Sequence, residues 1–173
     1  MEFEVKHKIT GNWTDKIMAM GFIAKKDSHQ IDHYYINNER RDDGRHYFRI
    51  REDLIGKTAS LDYHVVITDL ATEETEISIN NIEGAKIILG YIGLKPICTV
   101  DKQRKSFSNG TVVITLDTVK ELGHFLEIEV IGEDEARAQE EINRFEQALG
   151  LNEKTRIQKC GYPDLLIEKI GRA

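Results

Sequence analysis

Like-charged side chains recur at alternate positions in five segments of the sequence. Residues two apart in a β-strand point to the same side of the sheet, so each pair would place two equal charges on one face. Equal charges on one face repel each other and need compensation. A solvated outer face would explain one such strand, but five of them favour charges that face each other or a bound ligand. The pairs are Glu2 and Glu4, Arg49 and Arg51, Glu74 and Glu76, Lys102 and Arg104, and Glu127 and Glu129.

These residue types indicate a site for a metal ion and a phosphate chain. Carboxylate oxygens are hard ligands that suit Mg²⁺ or Mn²⁺, and the sequence has no His and Cys cluster for a softer metal. Arginine binds phosphate oxygens with a planar fork, and lysine binds them as a point charge. A metal beside a basic cluster would neutralise a polyphosphate before a nucleophile approaches phosphorus. Such a site needs no glycine-rich nucleotide fingerprint, and the sequence contains none.

The charged pairs lie in segments with the two-residue periodicity of half-buried strands. Eight strands are predicted, at residues 2–9, 28–36, 46–52, 60–67, 73–79, 97–107, 111–117 and 124–131. Helices are predicted at residues 12–21, 81–92 and 133–149, with a short one from Pro163. Asn109-Gly110 predicts a tight hairpin turn with positive φ at both residues. The scarcity of helices long enough for crossovers favours an antiparallel sheet, and eight strands can close into a small barrel.

The composition is that of one ordinary globular domain covering residues 1–173. The chain has 24 Lys and Arg against 30 Asp and Glu, which gives a net charge of −6 without basic tracts, and this argues against a nucleic-acid partner. No signal peptide or membrane span is predicted. Cys98 and Cys160 are 62 positions apart with no Cys-x-x-Cys, which predicts neither a disulfide nor a zinc site and favours a cytoplasmic location.

The order of the charged motifs resembles the CYTH superfamily, the triphosphate tunnel metalloenzymes that include class IV adenylyl cyclases and thiamine triphosphatases. Residues Glu2 to Lys6 resemble the Glu-x-Glu-x-Lys opening of that family, and Leu122 to Glu129 resemble its Leu-Gly-x-Phe-x-Glu-x-Glu block. Further motifs follow in family order over nearly the whole chain. They are Asp32-His33-Tyr34-Tyr35, Phe48-Arg49-Ile50-Arg51, Glu74-Thr75-Glu76, Val100-Asp101-Lys102-Gln103-Arg104, Leu116-Asp117, and Tyr162 with Leu165 and Leu166.

The resemblance implies an α+β fold, namely an eight-stranded antiparallel closed β-barrel, the triphosphate tunnel, with a charged lumen and helices packed outside. It implies ATP or another triphosphate as the substrate, Mg²⁺ or Mn²⁺ as the cofactor, and a homodimer if the protein follows cyclase-like members. The implied metal ligands are Glu2, Glu4, Glu76, Asp117, Glu127 and Glu129. The implied phosphate-binding residues are Lys6, Arg49, Arg51, His64, Lys102 and Arg104. The implied catalytic residues are Glu2, Glu4, Lys6, Glu127 and Glu129.

Three positions depart from the family pattern. His64 ends a segment, Leu61-Asp62-Tyr63-His64, that normally ends in lysine, and Thr72 stands where an arginine often precedes the Glu-x-Glu strand. Ile36 replaces an acid that commonly follows the tyrosine pair. Two lost cations would weaken the hold on a triphosphate, most of all at a pH where histidine is neutral. The segment from Glu39 to Arg45 is interpreted as a mobile loop over one tunnel mouth.

The resemblance implies two enzymatic functions, and the departures at His64 and Thr72 give a third function as an alternative. The first is a class IV adenylyl cyclase, in which the ribose 3′ hydroxyl of ATP attacks the α-phosphorus and pyrophosphate leaves. The second is an inorganic, thiamine or nucleoside triphosphatase, in which water attacks the terminal phosphorus. The third is a polyphosphate- or nucleotide-binding module that has lost turnover. The chain length and the block from Leu122 to Glu129 favour the cyclase.

Overall fold

The computed structural model describes residues 1–37, 46–157 and 161–171, so the loop predicted from Glu39 to Arg45 lies outside the described residues. Within those ranges the chain forms ten strands and four helices. In chain order they are β1 (Glu2–Ile9), α1 (Thr14–Ala19), β2 (Ile23–Ala24), β3 (Ser28–Asn37), β4 (His46–Asp53), β5 (Thr58–Val66), β6 (Ala71–Ile79), α2 (Ile82–Tyr91), β7 (Leu94–Ser108), β8 (Val112–Val119), β9 (Gly123–Ile131), α3 (Glu135–Leu149), β10 (Arg156–Ile157) and α4 (Tyr162–Gly171).

Eight of the strands close into an antiparallel barrel. Their order around the wall is β6, β5, β4, β3, β7, β8, β9 and β1. The wall closes where β1 returns to β6, with Glu2 paired to Thr72 and Phe3 paired to Ala71. The two-residue strands β2 and β10 extend the sheet at β7 and β1. The predicted α+β barrel of eight antiparallel strands is confirmed, and the two short strands were not predicted because two residues show no periodicity.

Alternation along the strands separates an apolar outer face from a charged inner face. Phe3 and Val5 of β1 pack in a buried cluster that also contains Ile142 of α3. Because successive side chains point to opposite sides, Glu4 and Lys6 face the lumen. Burial of a side chain as large as Phe3 stabilises the fold by about 1.5–3 kcal/mol. A one-residue slip in register would lose this stabilisation and would turn the charged side chains of β1 towards α3. Packing of the outer face therefore fixes which charges point inward.

The hairpin predicted at Asn109-Gly110 joins β7 to β8, but its geometry differs from the predicted turn. Only Gly110 has a positive φ, at 101°. The side chain of Asn109 instead accepts hydrogen bonds from the backbone N–H groups of Thr111 and Val112. The loop is thus one residue longer than a tight two-residue turn, and the asparagine side chain replaces a backbone acceptor.

The helix α4 covers one end of the barrel. Its residues Tyr162 and Leu166 are buried in a cluster with Tyr34, Val100 and Phe125. The last three share the parity of the charged inner residues on β3, β7 and β9, so this apolar cluster fills one end of the lumen. Among the helices in the described parts of the chain, none is long and apolar enough to cross a membrane.

Candidate functional site

A first group of paired charges lies where β3, β4 and β7 are adjacent. Asp32 is fully buried and accepts two hydrogen bonds from Arg51, Nε to Oδ1 at 2.7 Å and Nη2 to Oδ2 at 2.8 Å. The Lys102 Nζ also donates to Oδ2, at 3.0 Å. Burial disfavours the charged carboxylate, but the charges of Lys102 and Arg51 outweigh it and hold the Asp32 pKa well below its ordinary value. Arg51 and Lys102 are therefore anchored side by side by one carboxylate.

Burial has the opposite consequence for the lysine of this group. Desolvation lowers the Lys102 pKa to about 8, and the neighbouring Asp32 only partly offsets that effect. The ring of Tyr162 lies under the ammonium group, with Nζ 5.2 Å from the ring centroid. An anion brought into the lumen would favour the charged form of Lys102, because an opposite charge nearby raises a lysine pKa.

A second group joins β7, β8, β9 and β1. Arg104 Nε donates to Asp117 Oδ1 at 2.7 Å, and the same guanidinium contacts the Glu127 carboxylate. Lys6 Nζ lies 2.8 Å from the other Glu127 oxygen, Oε1. Burial opposes ionisation of Glu127, but Arg104 and Lys6 hold its pKa well below the ordinary value. Asp117 also accepts a hydrogen bond from the Tyr162 hydroxyl at 2.8 Å.

A third group consists of three acids, one of which, Glu4, has its Oε1 atom 3.6 Å from Lys6 Nζ. Glu4 and Glu129 are direct partners across β1 and β9, and Glu2 lies on the same face of β1. Burial, with the charges of Glu2 and Glu4, raises the Glu129 pKa to about 7. Burial, with the charges of Glu74 and Glu4, raises the Glu2 pKa to about 7 as well. Three carboxylates thus crowd one stretch of the inner wall, where ionisation of one opposes ionisation of the next.

The acidic group has the donor chemistry of a divalent cation site. In residues 1–37, 46–157 and 161–171, no three His, Cys, Asp or Glu side chains lie close enough together to enclose a metal ion. Mg²⁺, however, usually takes one or two carboxylates and completes its octahedron with water and substrate phosphate oxygens. Glu2, Glu4 and Glu129 offer hard oxygens, and only Glu4 among them has a lysine within ion-pair distance, Lys6 at 3.6 Å, so these residues fit such an ion.

In the remaining corner of the inner wall, between β4, β5 and β6, the charged side chains are also paired. Arg49 Nε donates to Asp62 Oδ2 at 2.7 Å. His64 is buried, its Nδ1 lies 2.6 Å from Glu74 Oε1, and its ring stacks on Tyr47 with centroids 4.5 Å apart. Burial lowers the His64 pKa, so the imidazole is neutral near pH 7. Unlike a lysine, His64 therefore adds no positive charge to this corner at neutral pH.

The structure divides the residues proposed from sequence into distinct environments. Glu2, Glu4 and Glu129 come together, whereas Asp117 and Glu127 bind bases and Glu76 is exposed beside Asp62. All six residues implied as phosphate ligands have the parity of the inner face on their strands. No binding or catalytic role was predicted from the sequence for Asp32, Asp62 or Tyr162. The two-residue alternation in β3 and β5 could have placed both aspartates inside, but their partners depend on register between strands.

We expect divalent cation binding to strengthen as the pH rises through about 7. Glu2 and Glu129 must lose their protons to bind a metal, and both have a pKa of about 7. The same raised pKa values mean that metal-free protein loses stability over this range, since folding favours the neutral carboxyls. Titration calorimetry with Mn²⁺ at pH 6, 7 and 8 measures the effect. Below the carboxyl pKa, each proton that metal binding releases should raise the Mn²⁺ affinity roughly tenfold per pH unit. Equal affinity at pH 6 and pH 8 would contradict the assignment.

Fold and inner wall together define a β-tunnel lined by opposed acids and bases. The family model for the CYTH domain matches residues 1–160, and the chain belongs to the CYTH family. No curated protein sequence matches the chain significantly.

Solved structures share the fold. A conserved hypothetical protein from Pyrococcus furiosus superposes with a TM-score of 0.86 at 24% identity, covering 95% of this chain and 99% of that one. A "putative adenylate cyclase" from Vibrio parahaemolyticus gives 0.78 at 23%, with 95% and 97% covered. A "putative adenylyl cyclase" from Hippeastrum, described as having a dominant triphosphatase activity, gives 0.67 at 13%, with 98% and 96% covered. At these identities the likeness concerns the fold.

Proposed function

We propose that the protein is a metal-dependent enzyme that acts on a triphosphate inside the tunnel, with ATP converted to cyclic AMP and pyrophosphate as the first candidate reaction. The observation that carries this proposal is that the inner wall holds an acid-rich group, Glu2, Glu4 and Glu129, beside a base-rich group, with Lys6 in contact with both. A polyphosphate needs both, because its charge must be offset by a metal on one side and by fixed cations on the other.

We assign the side chains to roles on this basis. Glu2, Glu4 and Glu129 would hold Mg²⁺ or Mn²⁺, and the ion when bound would neutralise phosphate charge. Lys6, Arg51, Lys102 and Arg104 would bind phosphate oxygens. Asp32, Asp117 and Glu127 hold these bases in place before substrate arrives, as their hydrogen bonds indicate. Arg49, which Asp62 holds in the same way, would also bind phosphate oxygens, whereas His64 would contribute less because it is neutral.

An organic group on the triphosphate is supported by a cavity beside the base-rich group. The cavity has a volume of about 430 Å³ and is lined by Arg104 and Asp117 together with Trp13, Ile55 and Leu116. Ligand pockets usually measure roughly 300–1,000 Å³ and combine apolar walls with a few polar groups. A nucleoside in this cavity would leave its phosphates beside Arg104, and this observation favours ATP over inorganic triphosphate.

The second candidate is a triphosphatase, which the triphosphatase activity described for the Hippeastrum structure favours. In the cyclase reaction, the ribose 3′ oxygen forms a bond to the α-phosphorus and loses its proton, while the bond to pyrophosphate breaks. In the triphosphatase reaction, the oxygen of water forms a bond to the terminal phosphorus and loses a proton, while the bond from that phosphorus to the bridging oxygen breaks, so inorganic phosphate forms and the diphosphate leaves. The third candidate, binding without turnover, rests on His64 and Thr72 in place of the usual bases.

A product assay distinguishes the three candidates. ATP, inorganic triphosphate and thiamine triphosphate are each incubated with the protein and Mg²⁺ or Mn²⁺, and products are separated by chromatography. Cyclic AMP with equimolar pyrophosphate supports the first proposal. ADP and phosphate from ATP, without cyclic AMP, contradict it and support the triphosphatase. Tight binding without any product supports a binding module.

We expect Arg51→Ala to weaken triphosphate binding about 10- to 100-fold. The variant loses a charge-assisted bidentate donor, and such hydrogen bonds contribute roughly 1.5–3 kcal/mol each. Titration calorimetry with inorganic triphosphate measures the effect, and Arg144→Ala on the exposed side of α3 is the charge-matched control. Unchanged binding in Arg51→Ala would show that Arg51 serves only to neutralise Asp32.

A homodimer and a cytoplasmic location are further parts of the proposal. For the dimer, α2 and the residue that follows it present apolar side chains, with Ile87, Ile88, Tyr91 and Ile92 exposed by 59%, 61%, 89% and 63%. A contiguous exposed patch of this kind is typical of interaction surfaces. Analytical ultracentrifugation of the protein and of Tyr91→Ser would test whether a second copy covers it. A monomer at all concentrations would exclude the dimer.

A further inference from the structure

The first residue of α4 reaches into the lumen between the two base-rich parts of the inner wall. This residue, Tyr162, is 3% exposed. Its ring centroid lies 4.6 Å from the Nζ atom of Lys6 and 5.2 Å from the Nζ atom of Lys102. These lysines belong to β1 and β7, which are separated in the barrel wall by β8 and β9. A single ring therefore contacts ammonium groups from two distant strands.

The hydroxyl group of Tyr162 holds that ring in place. It donates a hydrogen bond to Asp117 Oδ2 at 2.8 Å, and the same carboxylate accepts a hydrogen bond from Arg104. Burial, together with the charges of Glu127 and Asp117, raises the Tyr162 pKa well above its ordinary value, so the hydroxyl keeps its proton and remains a donor. Phe125 packs edge-on against the ring, with the centroids 5.0 Å apart. These two contacts fix the position and the tilt of the ring.

The first turn of α4 is fixed by short-range contacts in the sequence around Tyr162. The Gly161 N–H group donates to the Asp164 carboxylate at 2.8 Å, and the Leu165 N–H group donates to the Gly161 carbonyl oxygen at 3.2 Å. Pro163 restricts its own φ to the helical value and suits the first helical turn. The backbone that carries the tyrosine ring is therefore held independently of the ring's own contacts.

The contacts of Tyr162 exceed what packing alone requires. A leucine could fill the apolar cluster at this position, but it has no ring face to attract a cation and no hydroxyl to donate to Asp117. The attraction between a cation and a ring face is strongest where water is excluded. Lys6 and Lys102 are 8% and 3% exposed, so the ring replaces part of the hydration that both ammonium groups lose on burial. The residue type thus matches a role towards the two lysines.

We propose that Tyr162 is a positioning residue whose ring holds Lys6 and Lys102 in place for two phosphate groups of the substrate. This inference deepens the proposed function and rests on it for the identity of the ligand. Without the ring, both lysine side chains would have to be ordered when the ligand binds, and ordering a long side chain weakens binding. The helix α4 would thus take part in triphosphate binding through a residue that acts on the lysines rather than on the reacting atoms.

The first test measures the positions of the two lysines without substrate. Nuclei above the face of an aromatic ring are shifted upfield by the ring current, so NMR spectra of protein with ¹³C-labelled lysine report the contact. The terminal methylene protons of Lys6 and Lys102 should resonate upfield of those of exposed lysines, and Lys6→Arg and Lys102→Arg assign the two signals. Tyr162→Phe should keep both shifts, and Tyr162→Leu should lose them. Unshifted signals for both lysines in the wild type would overturn the inference.

The second test measures the affinity for inorganic triphosphate by titration calorimetry at pH 7. Tyr162→Leu should bind about tenfold more weakly than the wild type, because two lysines lose their preorganisation. Tyr162→Phe keeps the ring and should recover most of the affinity. Leu166→Ala is the packing control, since Leu166 is buried in the same cluster on α4 and has no ring. It should lower the free energy of unfolding but leave the affinity close to that of the wild type. Circular dichroism establishes that each variant is folded, and the NMR shifts of the wild type and Tyr162→Phe decide the question if Tyr162→Leu is unstable.

Wild-type affinity in folded Tyr162→Leu overturns the inference. Equal weakening in Tyr162→Leu and Leu166→Ala also overturns it, because packing of α4 then explains the loss. The failure of the proposed function gives a different pattern. If the wild type binds no triphosphate, yet the lysine signals lose their upfield shifts in Tyr162→Leu, the positioning of the lysines stands and the substrate assignment falls. If triphosphate is bound and converted but the lysine signals do not depend on Tyr162, the proposed function stands and the positioning role falls.

Discussion

Glu129→Gln should lower metal-dependent turnover of the triphosphate by about 100-fold or more. Even residues that only support metal ligands change affinity or activity about 10- to 100-fold, and loss of a ligand should cost at least as much. The same variant should be more stable than the wild type at pH 8 without metal. Burial and the nearby Glu2 and Glu4 raise the Glu129 pKa to about 7, so its negative charge opposes folding at pH 8.

These opposite signs separate a functional loss from an unfolded protein. Steady-state kinetics with Mn²⁺ gives the turnover, and urea unfolding with a chelator gives the free energy of unfolding. Glu140→Gln, an exposed charge on α3, is the matched control and should change neither. Full turnover in Glu129→Gln would show that this residue is not a metal ligand. A free energy of unfolding below that of the wild type at pH 8 would contradict the electrostatic explanation.

Arg104→Ala should destabilise the fold by about 3–5 kcal/mol. Arg104 pairs with Asp117 and Glu127, whose side chains are 0% and 6% exposed. Removing one member of a buried ion pair leaves uncompensated charge, and penalties of about this size are typical. Lys6 still contacts Glu127, and Tyr162 still donates to Asp117, so the loss should stay within that range. Urea unfolding at pH 7 measures the change.

Two further variants make the test of Arg104 specific. Arg104→Lys keeps the charge without the planar fork and should recover part of the stability but little of the triphosphate binding. Arg144→Ala breaks an ion pair with Glu141 on the exposed surface of α3, where such pairs contribute little. If Arg104→Ala and Arg144→Ala unfold at the same urea concentration, the buried network does not stabilise the barrel.

Much of the fold could be predicted because the pattern that determines each strand or helix lies within that segment of the sequence. Along β1, apolar Phe3 and Val5 alternate with charged Glu4 and Lys6, and one strand therefore determines its own inner and outer faces. The helix α3 was equally predictable, since its apolar residues recur at helical spacing from Ala138 to Leu149 and the stop at Gly150 follows directly. Such patterns need no knowledge of the neighbouring strand.

The sequence by itself determined that like charges share one face in each of five strands, which indicated a metal ion and a phosphate chain. Tertiary structure decided which charges meet. Asp117 and Glu127 were expected among the metal ligands, yet they lie against Arg104 and Lys6, while Asp62 lies between Arg49 and Glu76. The physical reason is strand register. The two-residue period of a strand shows on which side of the sheet a side chain lies, but only the pairing of strands around the closed barrel sets which side chains lie next to each other.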